Sequence, residues 1–302
     1  MLGRPITAVI VNHNGGELVL RCVRSLAESS LPPERIVVMD SCSTDGSDRL
    51  LEQTFPHVTL VRLERNRGYA AALNRGIDAA CNAEDGLLLL MNNDVILAPD
   101  SIEILVRHWN PNSGLLGPKV FRLDDAQKRL DSAWGTIWFH HVVCHMVGQG
   151  ELDSLRFSAV RRVDALLGCV LLTSCAVIRR AGLLDTDFFM YMEEIDFAYR
   201  LRRLGREVMF VPDAHAWHAG GHATRQEARN AVKTFYVRRN ALLFLRKHGN
   251  PIQWFTFVVS AVASLSFFLV TFRWSEFLLR VRGYRDGMRA DNTRKPQIAA
   301  LP

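Results

Sequence analysis

At 302 residues, with 48% hydrophobic and 23% charged side chains, the sequence has the length and make-up of one α/β domain plus an appendage, which excludes a chain disordered throughout. Its 37 Lys and Arg against 31 Asp and Glu leave a modest formal charge of +6. Much of the excess falls late, at Arg273, Arg280, Arg282, Arg285, Arg289, Arg294 and Lys295, where the preceding residues decide between nucleic acid and anionic lipid.

Ile6–Val11 is an apolar, β-branched run and predicts a buried strand, broken by Asn12-His13-Asn14-Gly15-Gly16. Leu18, Leu20, Cys22, Val23 and Leu26 follow at helical spacing. Ile36–Met39 is a second strand ending at Asp40, and Ser43–Ser47 supplies turn and cap residues for a helix through Leu50 and Leu51. Val58–Leu63 is a third strand, Gly68–Ala80 an Ala-rich helix, Leu87–Met91 a fourth strand, and Pro99-Asp100 opens the next helix. Beyond about residue 110 the rhythm loosens. Gly148–Ser158 reads as a loop, with Gln149–Asp153 a candidate mobile stretch, and Val170–Ile178 as a strand. Met192–Leu204 is expected to be a helix, Glu207–Val211 a short strand and Gln226–His248 a long helix. The six cysteines show no paired or metal-ligand rhythm and are expected to be reduced. The early first strand, with no basic-then-apolar leader before it, predicts a cytoplasmic catalytic part.

Strand–helix alternation with short loops predicts a doubly wound, Rossmann-like, mainly parallel sheet. Such sheets bind ligands beyond the carboxyl ends of their strands. Asn12, His13, Asp40, Asn92, Asn93 and Asp94 all follow strands at that edge. Neither G-x-G-x-x-G nor G-x-x-x-x-G-K-[ST] occurs, which argues against a dinucleotide oxidoreductase and a P-loop NTPase.

The segments VIVNHNGG (Val9–Gly16), VVMDSCSTDGS (Val37–Ser47), RNRGYAAALNRG (Arg65–Gly76), LMNNDV (Leu90–Val95), FFMYMEEIDFAYRLRRLG (Phe188–Gly205) and VPDAHAWH (Val211–His218) together resemble the family 2 glycosyltransferases of GT-A fold. The order and spacing are the family's, over about Ile6 to His248, and the chain looks closest to members that add rhamnose or galactofuranose to cell-envelope glycans. The resemblance implies an inverting transferase with a dTDP- or UDP-sugar donor. It places the base or ribose at Asp40, with Asn12 and His13 beside it, and the diphosphate near Asn66, Gly68 and Asn74 at a helix entry. Asn92-Asn93-Asp94 occupies the family's D-x-D metal motif with one carboxylate, so Asp94 and, by resemblance, His218 would hold Mg²⁺ or Mn²⁺ with Asn92 and Asn93 alongside. Glu194 falls where relatives carry the catalytic carboxylate, with Asp196 and Glu193 in reserve. Acidic residues at a helix start are also stabilised by its dipole alone, and that alternative stays open. Gly168 and Cys169 lie in a segment that faces the acceptor in relatives.

The expected division is a catalytic domain over 1–225, its nucleotide-sugar half about 1–120 and its acceptor half about 121–225, and a membrane-associating helical region over 226–302. Trp254–Phe272 carries no charge, yet Thr256, Ser260 and Ser264 give it a polar stripe and basic residues flank both ends. It reads as attached to the cytoplasmic face of a membrane, with spanning left open. The acceptor would then be a lipid-linked or envelope glycan. Competing readings are a sugar nucleotidyltransferase, whose basic Gly-rich loop is missing from VNHNGGE, and a non-catalytic assembly scaffold. Nucleic acid is not an expected partner, because the basic residues sit beside apolar helices.

Overall fold

A computed structural model describes residues 3–81, 86–220 and 226–290. The first part repeats strand and helix: β1 (Ile6–Asn12), α1 (Leu18–Ala27), β2 (Arg35–Asp40), α2 (Ser47–Thr54), β3 (Thr59–Arg62), α3 (Tyr69–Ala80), β4 (Leu87–Asn92), β5 (Val95–Leu97) and α4 (Ser101–His108). The second part is β-rich: β6 (Ser113–Arg122), β7 (Leu130–Ser132), β8 (Trp134–Ile137), β9 (Cys144–Val147), β10 (Arg161–Arg162), β11 (Val170–Ser174), α5 (Cys175–Ala181), α6 (Glu193–Arg203) and β12 (Glu207–His218). Three helices follow: α7 (Gln226–His248), α8 (Pro251–Val270) and α9 (Trp274–Arg289).

The main sheet runs β10-β12-β6-β11-β4-β1-β2-β3, with β5 on β12 and β7 on β6. Its β3-β2-β1-β4 half is parallel throughout, whereas β11 enters antiparallel between β4 and β6. Parallel strands covered on both faces need apolar side chains at successive positions, and every residue of β1 is buried. Register aligns Asn12 with Asp40 and Val11 with Asn92, so the carboxyl ends of β1, β2 and β4 finish level. The chain leaves β1 toward β2 on one side and reaches β4 on the other, which opens the crevice of a topological switch point.

Several expectations are corrected. The 170–178 run is a strand only to Ser174, whose hydroxyl accepts a hydrogen bond from Val177 N and starts α5. The strand expected at Glu207–Val211 continues to His218 through an irregularity between Val211 and His215, so Pro212 and Asp213 do not end it. Cys81 and Cys175, 94 residues apart, are joined in a disulfide between the end of α3 and the start of α5, while Cys22, Cys42, Cys144 and Cys169 are free. Gln149–Asp153 is tethered rather than loose: Gly150 N donates to Leu130 O, Leu130 N to Glu151 O, and Lys119 Nζ reaches both Asp153 oxygens at 2.9 Å.

The helix α7 matches its expected bounds but lacks an amphipathic stripe, because residues Arg239 to Leu245 are all buried between the α/β body and α9. Close approach of α9 comes from two glycines: a Cβ at Gly283 would meet Phe235 O at 2.8 Å, and one at Gly287 would meet Arg239 O at 2.6 Å. In α8 only Phe257 and Ala261 are buried. The polar stripe is used where Ser260 Oγ accepts from His141 N and Thr256 Oγ1 donates to Phe139 O. Arg280, counted above with the basic surface, is buried against Phe268 and ion-paired to Glu276; Arg282, Arg285 and Arg289 are exposed. Arg294 and Lys295 lie outside the described residues.

Candidate active site

At the crevice, Asn12 is a buried hub. Its Nδ2 donates to Asp40 Oδ2 at 2.8 Å and lies within reach of the Ser43 and Ser47 hydroxyls, and its Oδ1 accepts from Asn93 Nδ2 at 2.7 Å. It therefore ties the ends of β1, β2 and β4 together. Asp40 is buried too, accepting from Ser43 N and Ser43 Oγ besides Asn12. Its carboxylate thus holds the following turn, and the neighbouring groups carry the surface a base would meet. His13 is exposed, with Nδ1 2.9 Å from Ser41 O. Ser41 Oγ is buried with no hydrogen-bond partner, a polar atom in this corner that sequence reasoning did not single out. Asp45 accepts from Ser47 Oγ, Ser47 N and Gly16 N, and these bonds hold its carboxyl below the usual range against the opposing effect of burial.

One turn beyond β4, Asp94 meets the last residue of β12. Asp94 Oδ1 is 3.3 Å from His218 Nε2, and His218 Nδ1 is 2.7 Å from Asp131 Oδ2. The long β12 brings this about by carrying His218 alongside β5. Burial alone would depress the imidazole pKa, but hydrogen bonds to Asp131 and Asp94 and their charges outweigh it and raise it to about 10. A positive charge is therefore favoured between the carboxylates. Cis ligands on an octahedral Mg²⁺ or Mn²⁺ at about 2.1 Å lie roughly 3 Å apart, so the Asp94–His218 spacing fits two neighbouring ligand positions. Among the described residues no group of three or more His, Cys, Asp and Glu is arranged for a metal, so the rest of a shell would come from donor phosphates and water. Asp131, missed in the sequence because 87 residues separate it from His218, fixes the imidazole through its other nitrogen.

The helix α3 is reached through Gly68, whose φ of +93° and packing both favour glycine: a Cβ would lie 2.4 Å from Phe189 O. Asn66 Oδ1 accepts from Gly68 N, and Tyr69 N donates to Phe189 O at 2.7 Å. Asn74 is buried with both ends of its amide on the Leu184 backbone. Gly68 and Asn74 thus hold the 184–192 segment, and of the three expected diphosphate residues Asn74 lines a neighbouring cavity. That cavity, about 520 Å³, is lined by Arg62, Arg65, Arg67, Asn74, Arg75 and Thr186 among others.

The acidic cluster follows a strained turn. Phe189, Tyr191 and Met192 have φ of 61°, 64° and 73°, each costing a non-glycine residue about 1–2 kcal/mol. This turn delivers Glu193 and Glu194 to the first turn of α6. Burial raises both carboxyls, that of Glu194 to about 7 in spite of backbone hydrogen bonds including one from Gly168, and that of Glu193 further under the field of Glu194. Neither Oε2 has a hydrogen-bond partner. Gly168 makes room, since a Cβ there would come within 2.9 Å of Glu194 Cγ and 3.0 Å of Cδ. Asp196 differs from its neighbours: buried, it is bound by Arg200 Nε at 2.8 Å and His248 Nε2 at 2.7 Å. Glu194 packs on Gly168, and the carbonyl of the next residue, Cys169, accepts from Asn92 N at 2.9 Å, which brings the acidic turn beside the Asn92–Asp94 motif. Burial, foremost, raises the Cys169 thiol well above its ordinary value, so it is no nucleophile.

A parallel sheet with a switch-point crevice, closed by antiparallel strands that bring a carboxylate and a histidine to its mouth, is the architecture of the GT-A fold. The chain belongs to glycosyl transferase family 2, whose model matches residues 7–183. It is similar to an N-acetylglucosaminyl-diphospho-decaprenol L-rhamnosyltransferase of Mycobacterium tuberculosis, 26% identical over 82% of this chain and 88% of the relative. Among solved structures it resembles GalNAc-T7 with UDP, GalNAc and Mn²⁺ (TM-score 0.61, 15% identity), covering 80% of this chain and about half, 48%, of that one. A mannosyltransferase from Pyrobaculum calidifontis, in complex with GDP-Man and Mn²⁺, aligns with TM-score 0.56 and 17% identity over 94% of this chain and 87% of its own.

Proposed function

We propose that this glycosyltransferase moves rhamnose, with inversion, from a dTDP- or UDP-linked donor to a hydroxyl of a lipid-linked glycan at the cytoplasmic face of a membrane. The observation that supports it is the Glu194 carboxyl, with a raised pKa and a free oxygen, packed on Gly168, whose neighbour Cys169 is hydrogen-bonded to Asn92 of the Asn92–Asp94 motif. Inverting transfer is a single displacement. The acceptor oxygen forms its bond to the anomeric carbon as the bond to the diphosphate oxygen breaks, and Glu194 takes the hydroxyl proton. A carboxyl titrating near 7 is poised for that work at neutral pH. Asp94 and His218, oriented by Asp131, would hold the cation, and a divalent ion there would neutralise charge growing on the departing diphosphate. His13 and the Ser41 hydroxyl meet the base beside the buried Asn12–Asp40 pair that holds the turn, and Asn66, Asn92 and Asn93 border the donor. The rhamnose and lipid-linked assignments rest on the mycobacterial relative's name.

In the same reading, residues 1–120 bind the donor, 121–225 shape the acceptor side, and 226–302 form the membrane-associating region. Its helix α8 has 20 residues and mean hydropathy 1.8, with Ile252 74% and Phe255 70% exposed. Beside it Arg282, Arg285 and Arg289 on α9 face outward, which suits an apolar surface seated in an anionic leaflet. Calorimetry with dTDP, UDP and their sugars, with and without Mn²⁺ or Mg²⁺, tests the donor. Metal-dependent binding of a dTDP or UDP compound, followed by transfer from dTDP-rhamnose to a polyprenyl-diphosphate-linked N-acetylglucosamine, is expected. Folded protein that binds none of these nucleotides would overturn the proposal.

A further inference from the structure

The segment that delivers Glu193 and Glu194 is gripped along its length by α7. Asn240 of α7 is fully buried, and its Nδ2 lies 2.9 Å from Phe188 O, 2.9 Å from Met190 O and 2.7 Å from Tyr191 O. Two N–H bonds are thus shared among three carbonyls of the very turn whose Phe189, Tyr191 and Met192 sit in the left-handed region. Phe188 O also accepts from Met190 N, and the amide ties this carbonyl to those of Met190 and Tyr191, adding to the contacts that over-determine the left-handed backbone. The amide is itself oriented: Arg239 Nη1 donates to Asn240 Oδ1 at 2.8 Å and to Asp187 O at 2.7 Å, while Arg239 Nε binds Asp286 of α9 at 2.7 Å. Above and below, Tyr236 stacks on Phe189 at 5.4 Å, Lys247 pairs with Asp185, and His248 holds Asp196 on the far side of α6.

We propose that Asn240 is a positioning residue for transfer: through the Phe188, Met190 and Tyr191 carbonyls it holds the left-handed turn that aims the Glu193–Glu194 pair at the acceptor. This rests on the reading of Glu194 as the proton acceptor. The amide meets neither donor nor acceptor, so its loss acts on the chemical step and leaves nucleotide binding alone. Asn240→Asp keeps size and shape but sets a carboxylate against three carbonyl oxygens. Asn240→Ser keeps one O–H donor on a shorter arm.

The test uses the full chain, with release of dTDP from dTDP-rhamnose in the presence of the polyprenyl-linked acceptor, and calorimetry of dTDP with Mn²⁺. A displacement of about 1 Å at a reacting group costs on the order of 100-fold. Asn240→Asp is expected to lower kcat by about 10- to 100-fold and Asn240→Ser by less, with donor KM and dTDP affinity within about two-fold of wild type. The proposal is overturned if both variants keep kcat within about three-fold, or if dTDP binding falls in step with turnover. Should Asn240→Asp fail to fold, Asn240→Ser decides on the same criteria. Glu194→Gln, run alongside, separates the two readings. Normal turnover by Glu194→Gln with slow Asn240 variants rejects Glu194 as the base while upholding the grip on the turn.

Discussion

Gly168→Ala is a sharp probe of how the Glu194 side chain is held. A Cβ at residue 168 would lie 2.9 Å from Glu194 Cγ, 3.0 Å from its Cδ and 3.2 Å from its Cβ. Ordinary carbon contacts fall at about 3.5–4.0 Å, so the carboxylate must retreat by roughly 0.5–1 Å. Gly168 has an ordinary backbone conformation, so alanine adds bulk without backbone strain. If Glu194 takes the acceptor proton, a shift of that size lowers kcat by about 10- to 100-fold. Asp94 lies in the turn after β4 and His218 ends β12, and neither touches the added methyl, so metal-dependent nucleotide affinity is expected to stay unchanged. Initial rates of nucleotide release at saturating donor, beside calorimetry of dTDP and UDP with Mn²⁺, measure both quantities. A kcat within about three-fold of wild type would refute the reasoning, because the steric conflict does not depend on the donor.

The raised Glu194 pKa sets a direction for pH: a base must be ionised, so kcat/KM rises with pH through about 7 and levels above it; a rate falling across pH 6–8 in one buffer series would contradict this. Asp131→Asn leaves His218 with a weaker partner on Nδ1 and is expected to weaken Mn²⁺-dependent nucleotide binding by about 10- to 100-fold, read by titrating Mn²⁺ at fixed nucleotide. With the exposed apolar face of α8, most of the protein bound to vesicles containing anionic lipid should stay bound in about 1 M salt, where screening removes the attraction of Arg282, Arg285 and Arg289; complete release by salt in a flotation assay would argue against insertion.

The strands β1, β2 and β4 were legible because burial on both faces demands unbroken apolar runs, and the residues closing each run then fell at one edge. The bounds of α7 followed equally well from its sequence. What could not be read were contacts across long stretches of chain. Asp131 meets His218 only because β7 and β12 both join β6, and Cys81 meets Cys175 only because the end of α3 lies beside the start of α5. The extent of β12 was missed because Pro212 and Asp213 look like a strand end, yet the irregularity there lets the strand continue. Motif residues also divided in a way their spacing conceals: Asn74 and Gly68 serve the 184–192 segment, and Asp196 is occupied by Arg200 and His248, whereas Glu194 keeps an oxygen free. Asn240 carried no motif at all; its importance lies in three carbonyls some fifty residues earlier.

The most direct test of the account is the turnover of Glu194→Gln on the donor and acceptor that the wild-type chain uses. The amide keeps the shape of the side chain and cannot take a proton, so turnover should fall by about 100-fold or more while metal-dependent nucleotide binding persists. Near-normal turnover would contradict the central claim and pass the role to another group at the turn.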